Sequence, residues 1–219
     1  AVSDGLLSSD GRADIAVLAV NNAPQAVDDT AELAEDGFVL IDVRANDRDP
    51  DGDPLTITAV SLPEHGTATI DSGRIRYTPD ANFFGADGFT YTISDGQETA
   101  TAAVTVRVNS VNDRPTANAD GAEVDEDSSV VIDVLANDSD IEGDSLRLVS
   151  VSTPAHGTAL IDNGRVRYTP AANFFGRDSF TYLVSDNKDS STATVTIDVL
   201  PVDDLPVAQD DSSTTNEDQ

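Results

Sequence analysis

Two stretches of this chain carry acids at alternate positions: Asp47, Asp49, Asp51 and Asp53 in ANDRDPDGDPL (45–55), and Asp138, Asp140, Glu142 and Asp144 in ANDSDIEGDSL (136–146). Carboxylates about 5 Å apart repel by roughly 0.8 kcal/mol per pair even at the dielectric of water. A hard divalent cation reverses the sign of that interaction. Calcium takes six to eight oxygen ligands in flexible geometry, so it suits Asp, Glu, Asn and backbone carbonyls better than zinc does. The segment DRDPDG matches the first six positions of an EF-hand loop, with Gly52 at the sharp turn, but position twelve is Thr58, and Val149 in the second copy. The loop is therefore not an EF-hand, and further ligands have to come from other segments. Turn chemistry accounts for Asp and Asn in any single loop. It does not account for alternating acids repeated at matched phase.

Composition narrows the partners. The 219 residues include 41 acidic against 12 basic side chains, a formal charge of −29 and a pI near 4.1, which argues against nucleic acids and anionic membranes, both polyanions. With no cysteine, disulfides and thiolate metal sites are excluded, and bound metal is the natural alternative source of stability. No apolar run approaches the roughly 20 residues of a membrane span, so membrane insertion is not expected. The opening AVSDGLLSSDG has neither an initiating Met nor a basic-then-apolar leader and is expected to be cut from something longer.

Slid along itself by 91 residues, the sequence matches without a gap: 51 of the 91 pairs between 24–114 and 115–205 are identical. That is duplication rather than a merely shared fold. The same shift relates VNNAP (20–24), VNDRP (111–115) and VDDLP (202–206), which punctuate the repeats as linkers. Residues 1–23 then read as the closing strands of a preceding repeat, 24–114 and 115–205 as two complete repeats, and 206–219 as the start of another. Within a repeat apolar residues alternate: Val39, Ile41, Val43; Leu55, Ile57; Ile75, Tyr77; Phe89, Tyr91, Ile93; Val104, Val106, Val108. Period two, broken by Gly-, Pro-, Asp- and Asn-rich turns, predicts strands with one buried face. Seven short antiparallel strands in about 90 residues predict an all-β chain of tandem seven-stranded Greek-key sandwiches of the immunoglobulin type.

Strand direction then places the acids. The loop at 47–53 returns to the end where the repeat begins, beside the linker, whereas the EDG turn (35–37), the TPDANFFG turn (78–85) and the outgoing linker lie at the other end. Glu35, Asp36, Asn112 and Asp113 are thus expected to meet Asp138, Asp140, Glu142 and Asp144, and Asn21 and Asn22 are expected to join Asp47, Asp49, Asp51 and Asp53 one junction earlier. All fourteen are candidate calcium ligands. His65 and His156 read as turn residues, Phe83-Phe84 and Phe174-Phe175 as a core plug, and Arg74 and Arg76 as an exposed strand face.

VLANDSDIEGDSL, HGTALIDNGRVRYTPAANFFGRDSFTYLVSD and VNDRP together resemble the bacterial cadherin-like and immunoglobulin-like tandem repeats of large secreted surface proteins, including biofilm-associated and repeats-in-toxin adhesins. The resemblance covers nearly the whole chain. It implies cadherin-like sandwiches, calcium (Ca2+) at the junctions between neighbouring repeats, and a location outside a bacterial cell at its surface. Arg114 and Leu205 depart from the polar linker pattern, and Asn22 stands where the linker has an aspartate. The expected function is that of a monomeric extender, rigidified by calcium, which holds an adhesive tip away from the cell. The alternative is a lectin-like or homophilic adhesion module that binds exopolysaccharide or neighbouring cells. Tyr77, Tyr91, Tyr168 and Tyr182 fall on the inward strand phase and Trp is absent, which favours the extender. Acid pairs in repeated turns, without a paired nucleophile and base, do not read as an enzyme.

Overall fold

The computed structural model describes residues 20–205 continuously, together with 2, 3, 5, 8, 9, 210–212, 214 and 217. Most of the expected flanking segments at 1–23 and 206–219 lie outside the described residues. The chain divides into two compact units, Ala1–Val111 and Asn112–Gln219. In the first unit a short antiparallel ribbon, β1 (Val2–Ser3) with β2 (Ser8–Ser9), precedes seven strands. These are β3 (Asp29–Ala34), β4 (Val39–Ile41), β5 (Thr56–Val60), β6 (Gly66–Asp71), β7 (Arg74–Pro79), β8 (Gly85–Ser94) and β9 (Thr99–Asn109). They form a four-stranded sheet in the order β3-β9-β8-β5 and a three-stranded sheet in the order β4-β7-β6. The second unit repeats the arrangement with β10 (Asp120–Asp125), β11 (Val130–Ile132), β12 (Arg147–Val151), β13 (Gly157–Asp162), β14 (Arg165–Pro170), β15 (Gly176–Ser185) and β16 (Ser190–Leu200). Each unit is a seven-stranded sandwich of the immunoglobulin and cadherin type. One pairing departs from the all-antiparallel expectation: the first strand of each sandwich runs parallel to the last, β3 along β9 and β10 along β16.

The alternating apolar residues build the two cores. Tyr77, Tyr91, Ile75, Ile93, Val104 and Val106 are buried in the first unit, and Tyr168, Tyr182, Val166, Val184, Val195 and Ile197 in the second. Val43 is fully buried as expected, but in a 3-10 turn (Val43–Ala45) rather than in a strand, because the chain leaves the sheet there to begin the acidic loop. The double phenylalanines divide. Phe83 and Phe174 pack against the cores, whereas Phe84 and Phe175 are exposed, since adjacent residues cannot both face inward. His65 and His156 do more than turn the chain, for their rings stack on Phe83 and Phe174 at 4.3 and 4.2 Å. The glycine after each histidine is required by close approach: a Cβ on Gly66 would lie 2.5 Å from the Thr78 carbonyl oxygen. Arg74 and Arg76 are exposed, and Arg76 lies 4.0 Å from the centre of the Phe38 ring.

Each core contains a buried carboxylate fully supplied with donors. Asp87 accepts from the Tyr77 hydroxyl (2.7 Å) and from the backbone N–H groups of Gly88 (2.8 Å), His65 (3.1 Å) and Glu64 (3.2 Å). Asp178 does the same with Tyr168 (2.8 Å), Ser179 (2.8 Å), His156 (2.9 Å) and Ala155 (3.1 Å). Burial alone would push these carboxyls up, but the four hydrogen bonds outweigh it and hold both below the usual carboxylate range. The same burial, with Asp87 or Asp178 beside it, pushes the Tyr77 and Tyr168 hydroxyls up.

A carboxyl held lower in the folded state than its unfolded value, about 3.9, stabilises the fold fully above that value and loses the contribution as pH falls through the folded one. D178N, which replaces one acceptor oxygen by a donor facing N–H groups, is expected to cost about 1–3 kcal/mol at pH 7. Urea melts at pH 7 and pH 3 check it: the gap between variant and wild type narrows in acid, and an equal gap at both pH values refutes the account.

Candidate functional site

The first acid of each alternating set is drawn into the fold. Asp47 Oδ1 accepts from the Val27 N–H (2.8 Å) and from the hydroxyl of buried Tyr91 (3.0 Å). Asp138 Oδ1 accepts from the Asn118 N–H (2.8 Å) and from Tyr182 (2.9 Å). Burial, with the carboxylate alongside, pushes both tyrosine hydroxyls up. A second carboxylate stands nearby in each unit: burial raises Asp29, with the Asp47 charge adding to it, and burial followed by the Asp138 charge raises Asp120.

The second acid shapes the loop. Asp49 Oδ1 accepts from the N–H groups of Asp51 (2.8 Å) and Asp53 (3.2 Å), and the Asp49 carbonyl accepts from Gly52 N (3.3 Å). Gly52, at φ 83°, occupies a left-handed conformation that glycine adopts without cost. Asp140 repeats the pattern, taking the Asp144 N–H at 3.0 Å and Gly143 N at 3.3 Å. One oxygen of each therefore works as a turn acceptor. The other, Asp49 Oδ2 or Asp140 Oδ2, is buried without a partner.

The third and fourth acids meet the incoming linker. In the first unit Asp51 Oδ2 accepts from the Asn22 backbone N–H (2.6 Å) and side-chain amide (3.1 Å), and Asn21 Nδ2 donates to Asp95 Oδ2 (2.9 Å). Asp53 lines an open recess with Val20, Asn21, Asp51 and Gln97. In the second unit Glu142 Oε2 accepts from the Asp113 N–H (3.2 Å), and Asn112 Nδ2 donates to Asp186 (2.9 Å) and Asp189 (3.1 Å). Asp144 Oδ2 receives the Lys188 ammonium at 2.9 Å. Strand direction in the sequence brings the turn at 94–96, with Asp95, to this end, but Asp95, Asp186, Asp189 and Lys188 are not among the fourteen candidate ligands. The signal was available, because the β8–β9 and β15–β16 hairpins return to the linker end by the same strand-direction argument. Asp95 is held low chiefly by the Glu98 N–H and then by Asn21. Burial pushes Asp186 up, but Asn112 and the N–H groups of Lys188 and Asp189 outweigh it.

At the opposite end of the first unit Glu35, only 3% exposed, accepts from the outgoing Val111 N–H at 2.6 Å and leaves Oε2 buried and unpartnered. Glu126 accepts from Val202 N at 2.7 Å in the same way. Asp36 is exposed in the turn at φ 61°. The hydrogen bonds thus join Asn22 to Asp51 and Asn21 to Asp95 in one unit, and Asp113 to Glu142 and Asn112 to Asp186 and Asp189 in the other. Asp47 and Asp138 point inward to a tyrosine.

The donor set fits a hard cation. In the second unit Asn112 Oδ1, Asp113 Oδ2, Asp140 Oδ2 and Glu142 Oε1 are all buried oxygens without a hydrogen-bond partner, and carboxylate oxygens of Asp113 and Glu142 approach within 4.8 Å. A buried, unpaired carboxylate oxygen costs on the order of 1–3 kcal/mol, and a cation removes that cost. No nitrogen or sulfur ligand takes part, which is the chemistry of calcium rather than zinc.

A family model described as a bacterial Ig domain matches residues 21–107 and 112–198. Among curated proteins, Protein GAMETE EXPRESSED 2 of Arabidopsis thaliana is 42% identical over 87 residues, 39% of this chain, and the chain spans 9% of that protein's length. Among solved structures, the human Protocadherin-24 EC1-2 fragment is 18% identical over 84% of this chain and 100% of its own, with a TM-score of 0.53. An endo-fucoidan hydrolase from glycoside hydrolase family 107 is 23% identical over 82% of this chain and 29% of its own, with a TM-score of 0.37. The likeness to the protocadherin fragment concerns the fold.

Asp138 and Glu142 sit in one loop but do different work, so the two separate cleanly. In chelator, D138A is expected to destabilise the second unit by about 1–3 kcal/mol by removing the acceptor of the Asn118 N–H and leaving the buried Tyr182 hydroxyl only the Asn118 carbonyl oxygen at 2.8 Å. E142Q, which relieves like charge at a half-buried position, is expected to stay within about 0.5 kcal/mol of wild type. Chemical denaturation followed by tyrosine fluorescence compares them, and equal losses in the two variants refute the division of roles.

Proposed function

The chain belongs to the bacterial Ig domain family, whose members are usually extracellular surface modules of an adhesive or spacing kind and typically non-enzymatic. On that premise we propose that these repeats are calcium-stiffened links of a secreted, cell-surface extender that carries an adhesive tip away from the cell and acts as a monomer. The observation that carries the reading is the set of unpartnered buried oxygens on Asn112, Asp113, Asp140 and Glu142, where linker and loop of one unit meet. Asp144 completes that end, and Asp49, Asp51, Asp53, Asn21 and Asn22 are its counterparts in the first unit. Glu35 and Asp36, at the outgoing end of a repeat, are proposed to complete the ligand set contributed by the following repeat.

Calcium supplies charge neutralisation and a fixed set of oxygen contacts. The chain's own residues do the rest. Asp47 and Asp138 hold the loop to the core, Asp49 and Asp140 fold it with one oxygen while presenting the other, and the linker amides dock on the third acid. A linker of a few residues with unneutralised acids on both sides repels itself into many orientations, whereas shared ligation selects one. A stiff array gains reach in proportion to its number of repeats, a flexible one only as about the square root. Sites with Kd of about 10⁻⁴ to 10⁻³ M suffice where calcium is millimolar, outside the cell. All four tyrosines are buried, leaving no tyrosine platform for a sugar ring, which favours the extender over the lectin-like alternative.

Calcium at a hundredfold excess over Kd is expected to raise folding stability by about 2.7 kcal/mol, beyond the effect of sodium chloride at equal ionic strength. Small-angle scattering across a calcium titration is expected to show a rising maximum dimension with no change in mass. Equal melting temperatures in the two salts remove the metal. An unchanged dimension together with saturable, calcium-dependent glycan binding makes the lectin-like reading the better one.

A further inference from the structure

Lys188 is the only lysine among the 219 residues, and it stands among the acids of the second unit's linker end. Its ammonium lies 2.9 Å from Asp144 Oδ2, with Asp186 and Glu142 near enough to add their charges. The 91-residue shift aligns Lys188 with Gln97, whose neutral amide donates instead to the Asn21 side chain at 3.3 Å. The same shift aligns Asp113 with Asn22. One exchange adds a negative charge to the second unit's linker end and the other adds a positive charge, so the two cancel. The backbone fixes where the ammonium goes: Lys188 N donates to Asp186 Oδ1 at 2.6 Å, Asn187 turns at φ 82°, and Ser185 Oγ closes the hairpin on the Asp189 carbonyl at 2.7 Å. The ion pair itself is largely solvent-exposed, the lysine side chain to 60%, and pairs of that kind contribute little to stability. Its consequence is the field it places among oxygens that have no other partner.

Resting on the calcium reading above, we propose that the Lys188 ammonium is a resident counter-cation of the second unit's linker end, occupying carboxylate charge that a divalent ion would otherwise take and thereby setting that end's calcium affinity below that of an uncompensated site. An ammonium about 6 Å from a divalent ion, at the dielectric of water, weakens its binding about tenfold. Because the pair is exposed and weak it yields to calcium, so the end stays soluble and folded without the ion and responds only where calcium is abundant. In the second repeat the turn residue thereby offsets the charge that Asp113 adds to its linker end.

Calcium titration calorimetry on the full 219-residue chain tests this with wild type, K188Q and K188R. K188Q installs the residue that the first repeat already carries in the same turn, so the fold is kept, and thermal melts in chelator verify that. The expected result is calcium binding about tenfold tighter in K188Q, with K188R close to wild type because it restores the charge. If wild type binds calcium and K188Q binds it equally or more weakly, the counter-cation role is overturned while the calcium reading stands. If no variant binds calcium, both are overturned.

Discussion

A buried tyrosine hydroxyl has to find an acceptor, and in both units it finds a carboxylate at the root of the acid-rich loop. Tyr91 reaches Asp47 at 3.0 Å and Tyr182 reaches Asp138 at 2.9 Å, each beside a backbone carbonyl, Val27 at 3.0 Å and Asn118 at 2.8 Å, and the acid-rich loop is built outward from that contact. It ties β8 or β15, at the centre of the larger sheet, to the loop's first acid. With that residue pinned, the next acid folds its turn around Gly52 or Gly143, and the third is left where the linker's N–H groups can reach it. A phenylalanine in place of Tyr91 would fill the same core volume and remove one tie of the loop, leaving the Val27 N–H on Asp47 and the Gln25–Arg48 backbone pair. The core is thus the reason the acids stand together as well as the reason the units fold.

Charge is the second constraint, and it follows from the first. A chain with a formal charge of −29 works against its own compaction, so each clustered carboxylate needs a compensating interaction. Three kinds occur. Asp87 and Asp178 are surrounded by N–H and O–H donors and act as structural ions of the core. Asp162 and Asp144 are paired with cations of the chain, Arg167 at 2.6 Å and Lys188 at 2.9 Å. Asp49, Asp140, Asp113 and Glu142 keep one oxygen without any donor, and these are the positions proposed to hold a metal ion. Stability of the sandwiches and the proposed response of their ends to cations are therefore carried by different carboxylates on the same strands and loops. On the proposed calcium reading, such a separation lets an array remain folded while the mechanical character of its joints changes with the medium.

Much of this is legible in the amino-acid sequence alone. Alternation at Phe89, Tyr91 and Ile93, and at Val104, Val106 and Val108, is a local property of each strand, and it determines both the sheets and the inward phase of the tyrosines. Duplication at a shift of 91 residues is likewise written in the sequence, and so is the oxygen-only chemistry of the acidic loops. Other assignments depend on contacts between distant segments. That Asp47 faces a core tyrosine while Asp49 faces the loop, that Phe83 packs while Phe84 is exposed, and that Asn21 pairs with Asp95 and Lys188 with Asp144 are not properties of any local pattern. The Asp47 bonds span 20 and 44 residues and the Asn21–Asp95 bond spans 74. Periodicity states which face of a strand a residue occupies. Only the closing of two sheets over one core decides which oxygen of a carboxylate receives a donor and which is left without one, because those donors arrive from three separate parts of the chain.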